Sequence, residues 1–137
     1  MNRDNFKELA TAHLRAAKVL LDAGHHSDSY HLAGLSIECA LKACIAKLTR
    51  RHDFPDPGFA KDCFSHDLAK LRKLAGLEAR FSTDVATDPA LRVNWAIVKD
   101  WSVDSRYEVK SQREAYDLYS AVHRQKTGVM RWIRRYW

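Results

Sequence analysis

Apolar side chains recur at steps of three and four along most of this chain, a spacing that predicts helices rather than strands. Phe6, Leu9, Ala10, His13, Ala17, Leu20 and Leu21 form the first stripe. It predicts a helix over 4–23, with Asp4 as N-cap and Gly24 just past the end. Tyr30, Ala33, Ile37, Ala40, Leu41, Cys44, Ile45 and Leu48 predict a second helix that starts near Ser27 or Asp28 and ends near Thr49. Only Gly24, His25 and His26 link the two. So short a link makes antiparallel neighbours, each about 30 Å long at about 1.5 Å per residue.

Residues 50–64 hold Pro55, Pro57 and Gly58 and are expected to be a mobile loop. Leu68, Leu71 and Leu74 predict a short helix over 65–75, closed by Gly76, and residues 77–86 read as irregular. Asp88 and Pro89 suit the N-cap and first turn of a further helix, which carries Leu91, Trp95, Val98 and Trp101. Residues 102–110 read as a loop. Ser111 and Glu114 have capping-box spacing. The stripe Ala115, Leu118, Tyr119, Val122, Val129, Trp132, Ile133 and Tyr136 then predicts one long helix nearly to Trp137, with Gly128 as a bend. No stretch alternates with period two for long enough to make a strand. The expected fold is all-α: an antiparallel up-and-down bundle of about five helices, with a long hairpin and a long C-terminal helix, in one domain over 1–137.

Composition narrows the class. A chain of 137 residues suits a single core. Its three cysteines have no CxxC spacing, which argues against a disulfide framework and fits a reducing, cytoplasmic setting. No run approaches the roughly 18 apolar residues of a membrane span, and the first residues lack an apolar signal stretch. The formal net charge of +6 is uneven: residues 110–137 carry seven basic and two acidic side chains. Arg124, Arg131, Arg134 and Arg135 would form a basic face, which attracts phosphates or simply solvates a helix. There is no HExxH, no zinc-type Cys/His spacing and no glycine-rich phosphate loop, so neither cofactor nor metal is expected.

The string Tyr30-His31-Leu32-Ala33-Gly34, followed by Ile37-Glu38-Cys39-Ala40-Leu41-Lys42-Ala43, resembles the second helix of HEPN domains (higher eukaryotes and prokaryotes nucleotide-binding). His13-Leu14 with Ala17 and Leu20-Leu21 is similar to that family's first helix. Ser65-His66-Asp67-Leu68 with Leu71 resembles its short His-Asp-Leu segment, and Trp101 followed by Ser105-Arg106-Tyr107 resembles the Arg-Tyr pair before its last helix. The resemblance covers about residues 5–135. It implies an up-and-down bundle that dimerises. Many HEPN proteins are ribonucleases, and some are toxins neutralised by a small nucleotidyltransferase encoded beside them. Their catalytic motif is Arg, four to six residues, then His, near the start of the last helix. Here Arg106 has no His at that distance, and nine residues separate Arg113 from His123, as they do Arg3 from His13.

Glu38 lies on or beside the apolar stripe of the second helix and needs a partner if buried. Lys42, four residues on, is one. Arg106 is the other, since its planar fork locks a carboxylate or grips a phosphate. Glu38 and Arg106 are therefore expected to converge, with Tyr30 or Tyr107 alongside to stack a base or to fill core space. His66 and Asp67 mark a helix start, which serves as a cap or as an anion site. His13 falls in an apolar stripe and reads more readily as a core histidine than as a catalyst. Trp95, Trp101, Trp132, Trp137, Tyr116, Tyr119 and Tyr136 exceed what one core of this size is expected to bury, which points to a homodimer interface. These observations favour a catalytically silent HEPN-like module that binds nucleotide or RNA, dimeric and working with a partner such as a small nucleotidyltransferase. The alternatives are an oligomeric scaffold without ligand, and a metal-independent, toxin-type ribonuclease whose altered site uses Arg106, His66, His13 and Tyr107.

Overall fold

The computed structural model describes residues 1–49 and 56–137. Among them the chain forms eight α-helices and no strand. Helix α1 (Arg3–Asp22) and helix α2 (His26–Leu48) form the expected hairpin. Helix α1 begins slightly earlier than the stripe suggests. Asn2, not Asp4, is its N-cap, because Asn2 and Asn5 exchange side-chain hydrogen bonds with each other's backbone N–H.

Helix α2 is the centre of the molecule. It packs along α1 and also against the helices that follow, so its middle is enclosed from several directions. Ser36, Ile37, Glu38, Cys39, Ala40 and Leu41 are consecutive and all buried, which a one-sided amphipathic helix does not allow. Small residues make this fit. Ser29 Oγ donates to the Ala17 carbonyl at 2.8 Å, tying α2 to α1.

The middle of the chain holds more helix than the sequence pattern suggests. Helix α3 (Pro57–Asp62) lies inside the expected mobile loop, capped by Asp56; residues 50–55 of that loop lie outside the described residues. Helix α4 (Leu68–Leu74) starts later than expected because Asp67 caps it. Residues read as irregular form helix α5 (Glu78–Thr87). Only Phe81 and Val85 face inward there, one turn apart, which is too sparse a stripe to read from spacing alone. Helix α6 (Pro89–Val98) starts with Asp88 as cap and Pro89 in its first turn, as the sequence indicates. A 3-10 helix (Val103–Tyr107) replaces the expected loop.

The long closing helix is two helices, α7 (Gln112–His123) and α8 (Val129–Arg134). The capping box of Ser111 and Glu114 opens α7 as expected. The break falls at Gly128. A Cβ there would lie 2.4 Å from the Arg124 carbonyl oxygen and 2.7 Å from both Arg124 N and Val122 O. The chain therefore folds back more tightly than any side chain permits, which is a sharper change than the expected bend.

The aromatic surplus also turns out differently. Trp95, Trp101, Trp132 and Tyr119 are buried, and Tyr136 and Trp137 pack partly buried against the core. Of the seven aromatic residues assigned to an interface, only Tyr116 is left exposed. Two polar devices make this possible. The Arg72 guanidinium lies 3.9 Å above the Phe81 ring and 4.7 Å from Trp95, and its Nε and Nη2 donate to Glu78 at 2.7 and 3.1 Å. Asp84 on α5 takes hydrogen bonds from Trp132 Nε1 at 2.8 Å and from the Tyr136 hydroxyl at 2.6 Å. Those two bonds hold the Asp84 carboxyl below its usual range.

Asp84→Ala should therefore lower the unfolding free energy by about 1–3 kcal/mol, because it strands a buried indole N–H and a phenol. Asp84→Asn keeps an acceptor oxygen and should recover much of the loss. Urea denaturation of the two variants measures the difference.

Candidate functional site

One stripe of α2 carries polar side chains through its buried middle. His31, Gly34, Glu38 and Lys42 follow one another at three- and four-residue steps and so share a face. Four other elements bring side chains to it. Helix α1 supplies His13, the turn before α4 supplies His66, the segment between α6 and the 3-10 helix supplies Trp101, and the 3-10 helix supplies Ser105.

Glu38 is 4% exposed, and its carboxylate is held from two sides. Lys42 Nζ donates to Oε1 at 2.9 Å, and His66 Nδ1 lies 2.9 Å from the same oxygen. Both pairs join a buried group to a more accessible one, since the His66 side chain is about half exposed. Glu38 Oε2 is buried and has no hydrogen-bond partner among the described residues, and the same holds for Trp101 Nε1.

The Trp101 indole is set by Gly34. A Cβ on Gly34 would lie 2.2 Å from ring atoms of Trp101, so the ring rests directly on the α2 backbone one turn before Glu38. His31 stacks on the other part of the indole, with ring centroids 6.0 Å apart and planes inclined by 28°. Ser105 Oγ lies 3.4 Å from His31 Nδ1 and so ties the 3-10 helix to α2. Burial holds the His13 imidazole below its ordinary value of 6.5, against a weaker upward pull from Glu38. Burial, then the Arg106 guanidinium, holds His31 low as well, with Asp28 and Glu38 pulling the other way. Both imidazoles are thereby kept neutral near pH 7.

His66, Asp67, Lys99, Asp100, Trp101, Ser102 and Val103 line an open cleft of about 340 Å³. Glu38 reaches this cleft only through His66. The cysteines supply no chemistry here: burial pushes the Cys39 and Cys44 thiols up to about 11, and Cys63 is raised for the same reason. Among the described residues no group of three or more His, Cys, Asp or Glu side chains is placed to hold a metal ion.

The residues picked from sequence come together only in part. Glu38, Lys42 and His66 meet. Arg106 does not join them: among the described residues the ion pairs of Glu38 are with Lys42 and His66, both at Oε1. Arg106 is exposed instead, its guanidinium 4.8 Å above the ring of Tyr107, which is 78% exposed. Tyr30 is half-buried beneath the Lys110 ammonium, 4.7 Å from its ring, and takes the space-filling role. Burial raises the Tyr30 hydroxyl above its usual value. Arg124, Arg131, Arg134 and Arg135 are all exposed but do not form one uniform face. Arg131 and Arg135 line a small groove with Lys126 and Asp84, whereas Arg134 lies 5.4 Å over the Trp137 ring. Sequence reasoning missed the closeness of His31 and His13 to Glu38. The seven-residue step from His31 to Glu38, with Gly34 between, was the available signal.

These features define a small helical bundle with a carboxylate–imidazole pair behind a surface cleft. No protein-family model, curated protein or solved structure matches the chain.

Gly34→Ala should displace the Trp101 ring and with it the wall of the cleft. We expect a loss of about 1–3 kcal/mol, the usual cost of overpacking a core, and a change in tryptophan fluorescence in the folded state. Unchanged stability and emission would mean that the indole does not rest on the α2 backbone.

Proposed function

We propose that the chain is a HEPN-like module that binds RNA, or a nucleotide with the same base and phosphate chemistry, without the Arg-to-His nuclease motif of that family. The observation that carries this reading is the exposed Arg106–Tyr107 pair on the 3-10 helix. A phenol ring left in solvent under a guanidinium is a poor structural element and a good receptor for a base and its phosphate. The neighbouring cleft adds Lys99 and His66. The basic side chains of α8 supply a second, sequence-independent attraction for a phosphate backbone.

Arg106→Ala and Tyr107→Ala should each weaken binding of a labelled single-stranded RNA by roughly 5- to 150-fold, about 1–3 kcal/mol per lost stack or grip, as read by fluorescence anisotropy. Melting temperature should hardly move, because both side chains are exposed. Arg131→Ala with Arg134→Ala should instead lessen the salt dependence. RNA affinity that survives Arg106→Ala and Tyr107→Ala together would refute the reading. A nucleotide that competes with the RNA would identify the shared base-and-phosphate chemistry as the ligand.

The same reading carries a homodimer and a small nucleotidyltransferase partner, and a cytoplasmic setting. No helix among the described residues is long and apolar enough to cross a membrane. Light scattering at micromolar concentration should report about twice the 15.8 kDa of one chain. A monomer there would remove the dimer from the proposal, whose aromatic motive the core has already absorbed.

A further inference from the structure

We infer that the groove between the start of α1, the end of α2 and α3 binds a medium-chain carboxylic acid. The acid lays its hydrocarbon chain along α2 and its carboxylate on Lys42. The inference is independent of the RNA-binding reading, since Arg106, Tyr107 and the His66 cleft take no part in it.

The floor of the groove is one face of α2. Lys42, Ile45, Ala46 and Thr49 line it at three- and four-residue steps. Phe6 of α1 and Phe59 of α3 line it as well. Phe64 borders the same groove and is nonetheless 79% exposed. Large apolar side chains left in water along a groove mark a binding surface. Its volume is about 540 Å³, within the range of roughly 300–1,000 Å³ of small-ligand pockets.

Size selects the occupant. Two turns of a partner helix, about 1.5 Å per residue and about 10 Å across, take up more than about 800 Å³. The groove receives only a few side chains of such a helix, but the whole of a slim chain. From Lys42 to Thr49 the floor runs about 10 Å, close to the length of extended octanoate.

Charge sets the head group and its direction. The Lys42 side chain is only 15% exposed, whereas Thr49 at the other end of the floor is exposed. The groove thus carries its cation at the covered end. Lys42 Nζ has three N–H groups. One donates to Glu38 Oε1 at 2.9 Å, and among the described residues no other acceptor takes the remaining two. A carboxylate suits them best, because charge-assisted hydrogen bonds are roughly twice as strong as neutral ones. An amine head would meet Lys42 as a like charge. Asp56, the other charged residue on the groove, is exposed and accepts from Gly58 N at 3.0 Å. It repels an acid head and so leaves Lys42 as the seat for it.

The test titrates the full chain with saturated carboxylic acids from butyrate to decanoate, below their micelle concentrations, by calorimetry. Affinity should rise roughly fourfold with each added methylene up to octanoate, then level off as the chain outruns the floor. Octanol should bind roughly fivefold more weakly than octanoate, the difference between a charge-assisted and a neutral hydrogen bond. Lys42→Gln should bring octanoate down to the level of octanol. Ala46→Phe fills the floor and should abolish binding of both, with the helical circular dichroism unchanged. Cys63 lines the groove while Cys39 and Cys44 are buried, so octanoate should slow alkylation of Cys63 by iodoacetamide. If either variant fails to fold, the chain-length series, the octanol comparison and the Cys63 rate decide the matter on the unaltered chain. Octanol that binds as tightly as octanoate, an unchanged Cys63 rate, or no binding at any chain length overturns the site. So does octanoate affinity that falls as protein concentration rises, which would give the groove to a second copy of the chain.

Discussion

Everything in this fold follows from enclosing the middle of one helix from several directions. An amphipathic helix offers one stripe to a core and keeps the rest in water. Helix α2 is instead packed against α1, α4, α7, α8 and the 3-10 helix. Its middle therefore has almost no solvent face on which to carry polar residues cheaply; Asp28 and Lys47 are exposed only near its ends. Close approach from several directions needs small side chains, and Ala33, Gly34, Ser36, Ala40 and Ala43 provide them. Gly34 is the extreme case, where an indole rests on bare backbone. Apart from α1 and α7, the elements around α2 are short, each covering one sector of it.

Within that constraint a charged side chain on α2 becomes a structural event. Glu38 has to be neutralised locally, and Lys42 does so within the same helix. His66 arrives from another element and reaches the same oxygen. The two partners differ in what they connect. Lys42 closes the pair inside the helix, whereas His66 extends it to the protein surface. The aromatic and imidazole rings at the other end of the stripe, Trp101 and His31, hold the 3-10 helix down through Ser105. Arg106 and Tyr107 are presented outward because the residue before them is anchored inward.

The sequence pattern revealed the elements whose signals are local. The α1–α2 hairpin, the Asp88-Pro89 start of α6 and the Ser111–Glu114 box were legible because caps and stripes act over a few residues. Helix α5 was not, since Phe81 and Val85 are its only inward apolar residues and its stability comes from contacts through Asp84 and Arg72. The break between α7 and α8 had a signal in the polar run His123-Arg124-Gln125-Lys126-Thr127, which interrupts the apolar stripe just before Gly128. The site was legible as residue types and not as pairings. Glu38 and Lys42 sit four apart on one helix, so their contact was readable. Whether His66 or Arg106 completes the group depends on how α4 and the 3-10 helix lie across α2, and only tertiary packing sets that. The aromatic count misled for a related reason. Guanidinium stacking and carboxylate acceptance let this core take up Trp95, Trp132 and Tyr136, which hydrophobic bookkeeping alone leaves outside.

The energetics of Glu38 bear on why it is there at all. An apolar residue of similar volume would fill the same space, and replacing buried ion pairs in this way is often neutral or stabilising by about 1–4 kcal/mol. The carboxylate also leaves Oε2 buried without a partner, and Trp101 Nε1 is in the same condition. Buried polar atoms in native cores are nearly always matched, because each unmatched one costs free energy. Fold stability alone therefore does not account for a carboxylate at this position. What an apolar residue does not supply is a fixed acceptor for the imidazole of His66. Glu38 Oε2 and Trp101 Nε1 belong to the group around the cleft, while Arg3 Nε, His26 Nδ1 and Arg72 Nη1 are buried without partners elsewhere among the described residues. Departures from good packing of this kind concentrate where a protein works on a ligand rather than where it merely holds together.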